Sequence, residues 1–166
     1  RLAFRQPFYF PGWTFAPVPG NPLHNGLAMD LTRMQLTYLW VALGGALGSV
    51  ARFWIANLSE ARWGNSFPWG TLIANVSGSL LIGILAGCSG PNGGWFASDP
   101  ARKLLMIGVC GGYTTFSSFS LQTLSLVQQG QWLRAGLNIL GSVALCLIAV
   151  WLGHLIGTHL SSAKGN

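Results

Sequence analysis

The sequence predicts an all-α integral membrane protein of four transmembrane helices, the third of them broken at mid-membrane. Three observations carry this. Only 7% of the residues are charged, where a soluble domain carries roughly 25%. Mean hydropathy is +0.47, so lipid is the solvent for most of the surface. Four apolar stretches of 19 to 25 residues also succeed one another, and at about 1.5 Å per residue each reaches the ~30 Å of a hydrocarbon core.

Residues 1–33 stand apart. They hold Pro7, Pro11, Pro17, Pro19 and Pro22 and no apolar run long enough for a signal peptide, so they read as a disordered, Pro- and aromatic-rich extension. A functional arm is the alternative, and Met29 or Met34 is a candidate start. Residues 34–166 make up the transmembrane domain. Its spans run roughly Thr37–Leu58, Trp69–Gly87, Lys103–Val127 and Ala135–Gly157. The connections SEARWGNSFP, CSGPNGGWFASDPAR and QQGQWLR are short and rich in breakers. Four spans put both ends on one side. Arg1, Arg5, Arg33, Arg102, Lys103 and Lys164 stand there, against Arg62 and Arg134 opposite, with Arg52 near the end of span one. Without the extension the count is nearly balanced, and a chain so balanced is expected to insert in both orientations.

Composition excludes several function classes. The net charge of +6 comes from scattered side chains that form no basic run, which argues against nucleic acid as a partner. Cys88, Cys110 and Cys146 sit singly in apolar segments and read as small buried hydrophobes. Asp30, Glu60 and Asp99 are the only carboxylates and lie in loops or the extension, so paired acid–base catalysis has no candidates. His154 and His159 are five residues apart and off a common helical face. The chain does not read as an enzyme. A proton-coupled exporter needs an ionisable group inside the membrane, and the only charge within a span is Arg52.

Intramembrane polarity is instead neutral and clustered. Thr71, Asn75 and Ser79 recur every four residues and share one face of span two. In span three, Phe116, Phe119 and Thr123 share a face, with Ser117 and Ser120 beside them. Helix–helix contact through small polar residues competes with a polar pathway as the explanation. Gly111-Gly112 weakens the third helix and Thr114-Thr115 adds β-branching and competing hydroxyls. Carbonyls freed at such a break must face protein, water or an ion, and several converging oxygens suit a small hard cation. Gly44-x-x-x-Gly48 and Ser79-x-x-x-Gly83-x-x-x-Gly87 permit close helix packing.

Three segments, GGALGSVARFW (44–54), GTLIANVSGSLLIG (70–83) and GVCGGYTTFSSFS (108–120), together resemble the CrcB/Fluc family of fluoride channels. With span four the resemblance covers about Met34–Gly157, and the third segment is its most specific part. It implies a passive fluoride channel of the cell inner membrane, built as an antiparallel, dual-topology homodimer with two pores and a structural sodium ion at the central breaks. By position, Asn75, Phe116, Phe119, Ser117, Ser118 and Ser120 match pore positions, Arg52 a vestibule arginine, and the Gly111 and Thr114 carbonyls the sodium ligands. Ser118 stands where the family often has threonine, Tyr113 occupies a variable position, and Asn138 is a loosely aligned candidate from span four. The residue chemistry agrees. Fluoride is tightly hydrated, so moderate stabilisation by hydroxyl and amide donors suits passage better than a buried cation, and phenylalanine ring edges are positive enough to face an anion. A small exporter of another substrate is the alternative, and a purely structural membrane subunit a third.

Overall fold

The computed structural model describes residues 26–89 and 98–163, with side chains from Met34 onward. Helix α1 is Gly26–Trp63, α2 is Trp69–Cys88 and α6 is Trp132–Ser162. Between α2 and α6 lie α3 (Asp99–Arg102), a π-helical segment Lys103–Cys110, α4 (Gly111–Tyr113) and α5 (Phe116–Gln128). Among the described residues there is no strand. Four helical stretches are long and apolar enough to cross a membrane: Met34–Trp63, Trp69–Cys88, Asp99–Gln128 and Trp132–Ser162. The expected all-helical, four-span class is what forms. Of the extension expected over residues 1–33, residues 1–25 lie outside the described residues, and α1 is helical from Gly26.

Helix ends follow local chemistry. Gly64 has φ +69° and returns its N–H to the Glu60 carbonyl at 2.8 Å, closing α1 with a left-handed cap. Pro68 caps the start of α2, where a missing N–H costs nothing. Gly130, at φ +72°, gives its N–H to Val127 O at 2.9 Å, and Gln131 N–H reaches Leu126 O at 2.8 Å, a Schellman closure of α5 that turns the chain into α6. The third span starts with Ser98, Asp99 and Pro100, and Lys103 Nζ reaches Asp99 Oδ2 at 2.6 Å.

Two parallel seams hold the bundle together. A Cβ on Gly83 would meet the Val150 carbonyl, and one on Gly87 the backbone of His154, Gly157 and Thr158. Reciprocally, Gly153 lies on Leu80 and Ile84, and Gly157 on Ile84 and Cys88. The partner index advances with the helix index, so α2 and α6 run parallel with backbones in contact. Gly44 and Gly48 of α1 make a second parallel seam, against Leu104, Gly108, Val109 and Gly112 of the third span. In lipid, burying more hydrocarbon gains little, so association depends on close backbone approach and dispersion. The glycine spacing legible in spans one and two is therefore used, and Gly108, Gly112, Gly153 and Gly157 complete it.

Candidate functional site

The helix interruption organises the site. Gly111 and Gly112 remain helical within Gly111–Tyr113. The chain leaves the helix at Thr114 (φ −81°, ψ 155°) and Thr115 (φ −152°, ψ 119°), then re-enters at Phe116. Of the glycine pair and the two threonines expected to weaken the helix, the β-branched threonines carry the extended backbone. It sits near the middle of the Asp99–Gln128 stretch. Gly112 serves the seam instead, since a Cβ there would meet the backbone of Gly45, whereas one on Gly111 would meet nothing within 4 Å.

Several backbone groups at the interruption take side-chain partners. A continued helix would send Thr115 N–H to Gly111 O, but it goes to Asn75 Oδ1 at 2.7 Å. Asn75 Nδ2 donates in return to Thr115 O at 3.1 Å. Arg52 Nε donates to Gly112 O at 3.1 Å, taking the place of the Phe116 N–H. Ser118 N–H, which would otherwise serve Thr114 O, caps α5 by donating to Thr115 Oγ1 at 3.2 Å. The Gly111 and Thr114 carbonyls therefore lose their helical donors, whereas Gly112 gains Arg52. Those two oxygens are the ones matched to sodium at sequence level, and neutral hard oxygens suit that ion. Among the described residues no group of three His, Cys, Asp or Glu side chains could hold a metal.

Beside the interruption lies a cavity of about 270 Å³ between α2, α5 and α6. Asn75 and Ser79 line it from α2, Thr114, Thr115, Phe116 and Phe119 from the third span, and Ser142, Val143 and Cys146 from α6. It has no acidic or basic side chain in its wall. The rings of Phe116 and Phe119 lie 5.4 Å apart, tilted by 44°, an attractive edge-biased geometry. Their environments differ sharply: Phe119 is 9% exposed and Phe116 is 79% exposed.

The remaining predicted residues divide. Ser117 and Ser118 gather with their hydroxyls at 3.2 and 3.1 Å from Thr115 Oγ1, next to the cavity rim. Ser120 is exposed and its hydroxyl donates to Phe116 O at 2.8 Å. Arg52 is brought to the interruption, not to the cavity wall. Thr71 leaves the stripe: it borders a separate cavity of about 100 Å³ with Ser59 and Gln122, whose buried Oε1 has no hydrogen-bond partner.

Span four contributes more than sequence reading found. Asn138, 1% exposed, donates to Thr123 Oγ1 at 2.8 Å, and Thr123 donates to Phe119 O at 2.7 Å. Ser142 Oγ lies 3.5 Å from Asn138 Oδ1. Asn138, Ser142 and Cys146 recur every four residues, a stripe that could have revealed all three. The pair Ser77–Tyr113, 2.9 Å between hydroxyls, carries no such signal, because its partners are on different helices.

With this geometry established, comparison with known proteins is decisive. Residues 39–154 match the family model described as "CrcB-like protein, Camphor Resistance (CrcB)". The chain belongs to the CrcB family. A relative from Methylocella silvestris is 51% identical over 130 residues, covering 78% of this chain and 99% of the relative. One from Opitutus terrae is 54% identical over 129 residues, covering 78% and 98%, and one from Rhodospirillum rubrum is 58% identical over 120 residues, covering 72% and 93%. Each of the three is named a fluoride-specific ion channel. The matched CrcB region contains α2, the interruption, α5 and the cavity-lining part of α6, so the whole site falls within it. The protein is a multi-pass membrane protein of this family.

Proposed function

We propose that this chain is a passive, fluoride-selective channel that exports cytoplasmic fluoride across the cell inner membrane. The observation that carries the reading is the cavity wall: two apposed phenylalanines beside uncharged donors, with no acidic or basic side chain. Fluoride leaving water needs replacement donors. Hydroxyls of Ser79 and Ser142 supply them, with Ser117 and Ser118 at the rim, and the ring edges of Phe116 and Phe119 add a weakly positive surface. Fixed cations would hold the ion too firmly for passage. A membrane potential negative inside drives the anion outward.

The functional unit in this reading is an antiparallel homodimer. An exposed aromatic flanked by the exposed hydroxyl side chains Ser117 and Ser120 is ill suited to lipid, and a second copy would cover it and complete the path. The balanced charges on the two sides suit insertion in both orientations. Gly111 and Thr114 carbonyls would hold a structural sodium ion at the junction of the two copies, fixing the interruption electrostatically. Purified protein in liposomes tests the function directly. Vesicles loaded with fluoride should empty rapidly while chloride-loaded controls retain their anion, and retention of fluoride equal to that of protein-free vesicles would refute the reading.

A further inference from the structure

We infer that Asn75 is a positioning residue: it pins the Thr115 backbone by hydrogen bonds to both its N–H and its C=O and thereby sets the placement of the Phe116–Phe119 pair. The inference rests on the channel reading for its functional consequence, but its geometric basis is independent of it.

A side-chain amide offers a donor and an acceptor on one edge, as an extended residue of a neighbouring strand does with its own N–H and C=O. Asn75 uses both: Nδ2 donates to Thr115 O at 3.1 Å, and Oδ1 accepts from Thr115 N–H at 2.7 Å. It thus takes the part a partner strand would play for an extended residue, in a protein without strands among its described residues. Aspartate could only accept, and a hydroxyl is too short to span both groups.

The approach of α2 makes this possible. One turn along, Gly78 lies against the Thr114 methyl, where an added Cβ would collide, and the Tyr113 ring is also close. The missing side chain at Gly78 lets the interruption settle onto α2 so that Asn75 faces Thr115. Phe116 follows Thr115 directly, and the Thr115 hydroxyl caps α5 through Ser118 N–H. Fixing the two peptide groups that flank the Thr115 Cα therefore fixes the origin of α5 and both rings. The amide plane is dictated by the peptide rather than by a passing ion, and only one N–H of Nδ2 remains to face the cavity. Asn75 acts on conduction chiefly through the rings.

Two perturbations of the same bond pair test this in the reconstituted full-length chain: Asn75→Ala, and replacement of the Thr115 amide by an ester, which deletes the N–H without touching any side chain. Each should lower maximal fluoride flux about tenfold or more, leave the half-saturating fluoride concentration unchanged, and reduce the preference for fluoride over chloride. The combination should be no worse than the stronger single change. Amide exchange at Thr115 should be about tenfold faster in Asn75→Ala. Wild-type flux in the ester protein, a shift in half-saturation without loss of maximal flux, or unchanged Thr115 exchange would overturn the inference. If the unmodified chain itself released no fluoride, the channel reading would fall, and the exchange measurement alone would decide whether Asn75 holds the peptide.

Discussion

The α2–α6 seam and the Thr114–Thr115 interruption solve opposite problems a short distance apart. At the seam, Gly83, Gly87, Gly153 and Gly157 remove side chains so that two regular helices touch backbone to backbone. Every peptide there is satisfied within its own helix, and shape does the rest. At the interruption the backbone is not self-sufficient, so Asn75, Arg52 and the Thr115 hydroxyl supply what the helix no longer does. Dispersion holds the first region and directed polar bonds hold the second. The lesson is a division of labour: the seam sets stability, and the interruption sets the chemistry of the cavity.

Substitutions can break or sharpen this contrast. The largest effect on transport is expected from Phe116→Ile or Phe119→Ile. Either should abolish fluoride efflux from liposomes with size-exclusion behaviour unchanged, the melting temperature staying close to wild type at the exposed Phe116 and falling by the equivalent of about 1–2 kcal/mol at the buried Phe119, where the smaller side chain leaves a void. Wild-type efflux in both would remove the rings from the path. The largest effect on stability is expected at the seam. Gly153→Leu places carbon against the Leu80 carbonyl and should destabilise by about 3 kcal/mol, read as a fall in the melting temperature in detergent. Gly141→Ala, inside the same helix but where an added Cβ meets nothing within 4 Å, is the open-position comparison and should leave stability unchanged or raise it by up to about 1 kcal/mol.

Between these extremes, Asn138→Leu removes the buried donor to Thr123 and should cost about 1–3 kcal/mol, together with a partial loss of flux through Phe119. Equal flux and equal stability would separate the span-four polar chain from both regions. The smallest effect belongs to Lys103→Met. Its pair with Asp99 is short at 2.6 Å, but the carboxylate partner is 75% exposed, so the melting temperature should move by the equivalent of less than about 1 kcal/mol.

The seam was far easier to read in advance than the interruption. Gly44, Gly48, Gly83 and Gly87 announce themselves by four-residue spacing, because helix geometry turns that spacing into a face. The same logic grouped Asn75 with Ser79, and both do line the cavity. It also grouped Thr71 with them, yet Thr71 borders the separate cavity near Ser59 and Gln122, because neighbouring helices change along the length of α2. The glycine pair at 111–112 and the threonines at 114–115 both marked the break, glycine because it weakens a helix in isolation. Packing of Gly112 against Gly45 holds that residue in the helix, and the extended residues are Thr114 and Thr115, the second of which Asn75 and Ser118 satisfy.

Local chemistry, then, determined by sequence alone that the chain is helical, crosses a membrane four times, packs through glycine, and carries an uncharged polar segment with two phenylalanines. Those features depend on composition and on periods of three and four residues, which a linear string records. Which peptide leaves the helix, which amide closes on it, and why one phenylalanine is covered and the other exposed were decided only by the tertiary structure. Each depends on groups far apart in sequence, such as Asn75 with Thr115 and Arg52 with Gly112, whose meeting follows from how closely the glycine seams let the helices approach.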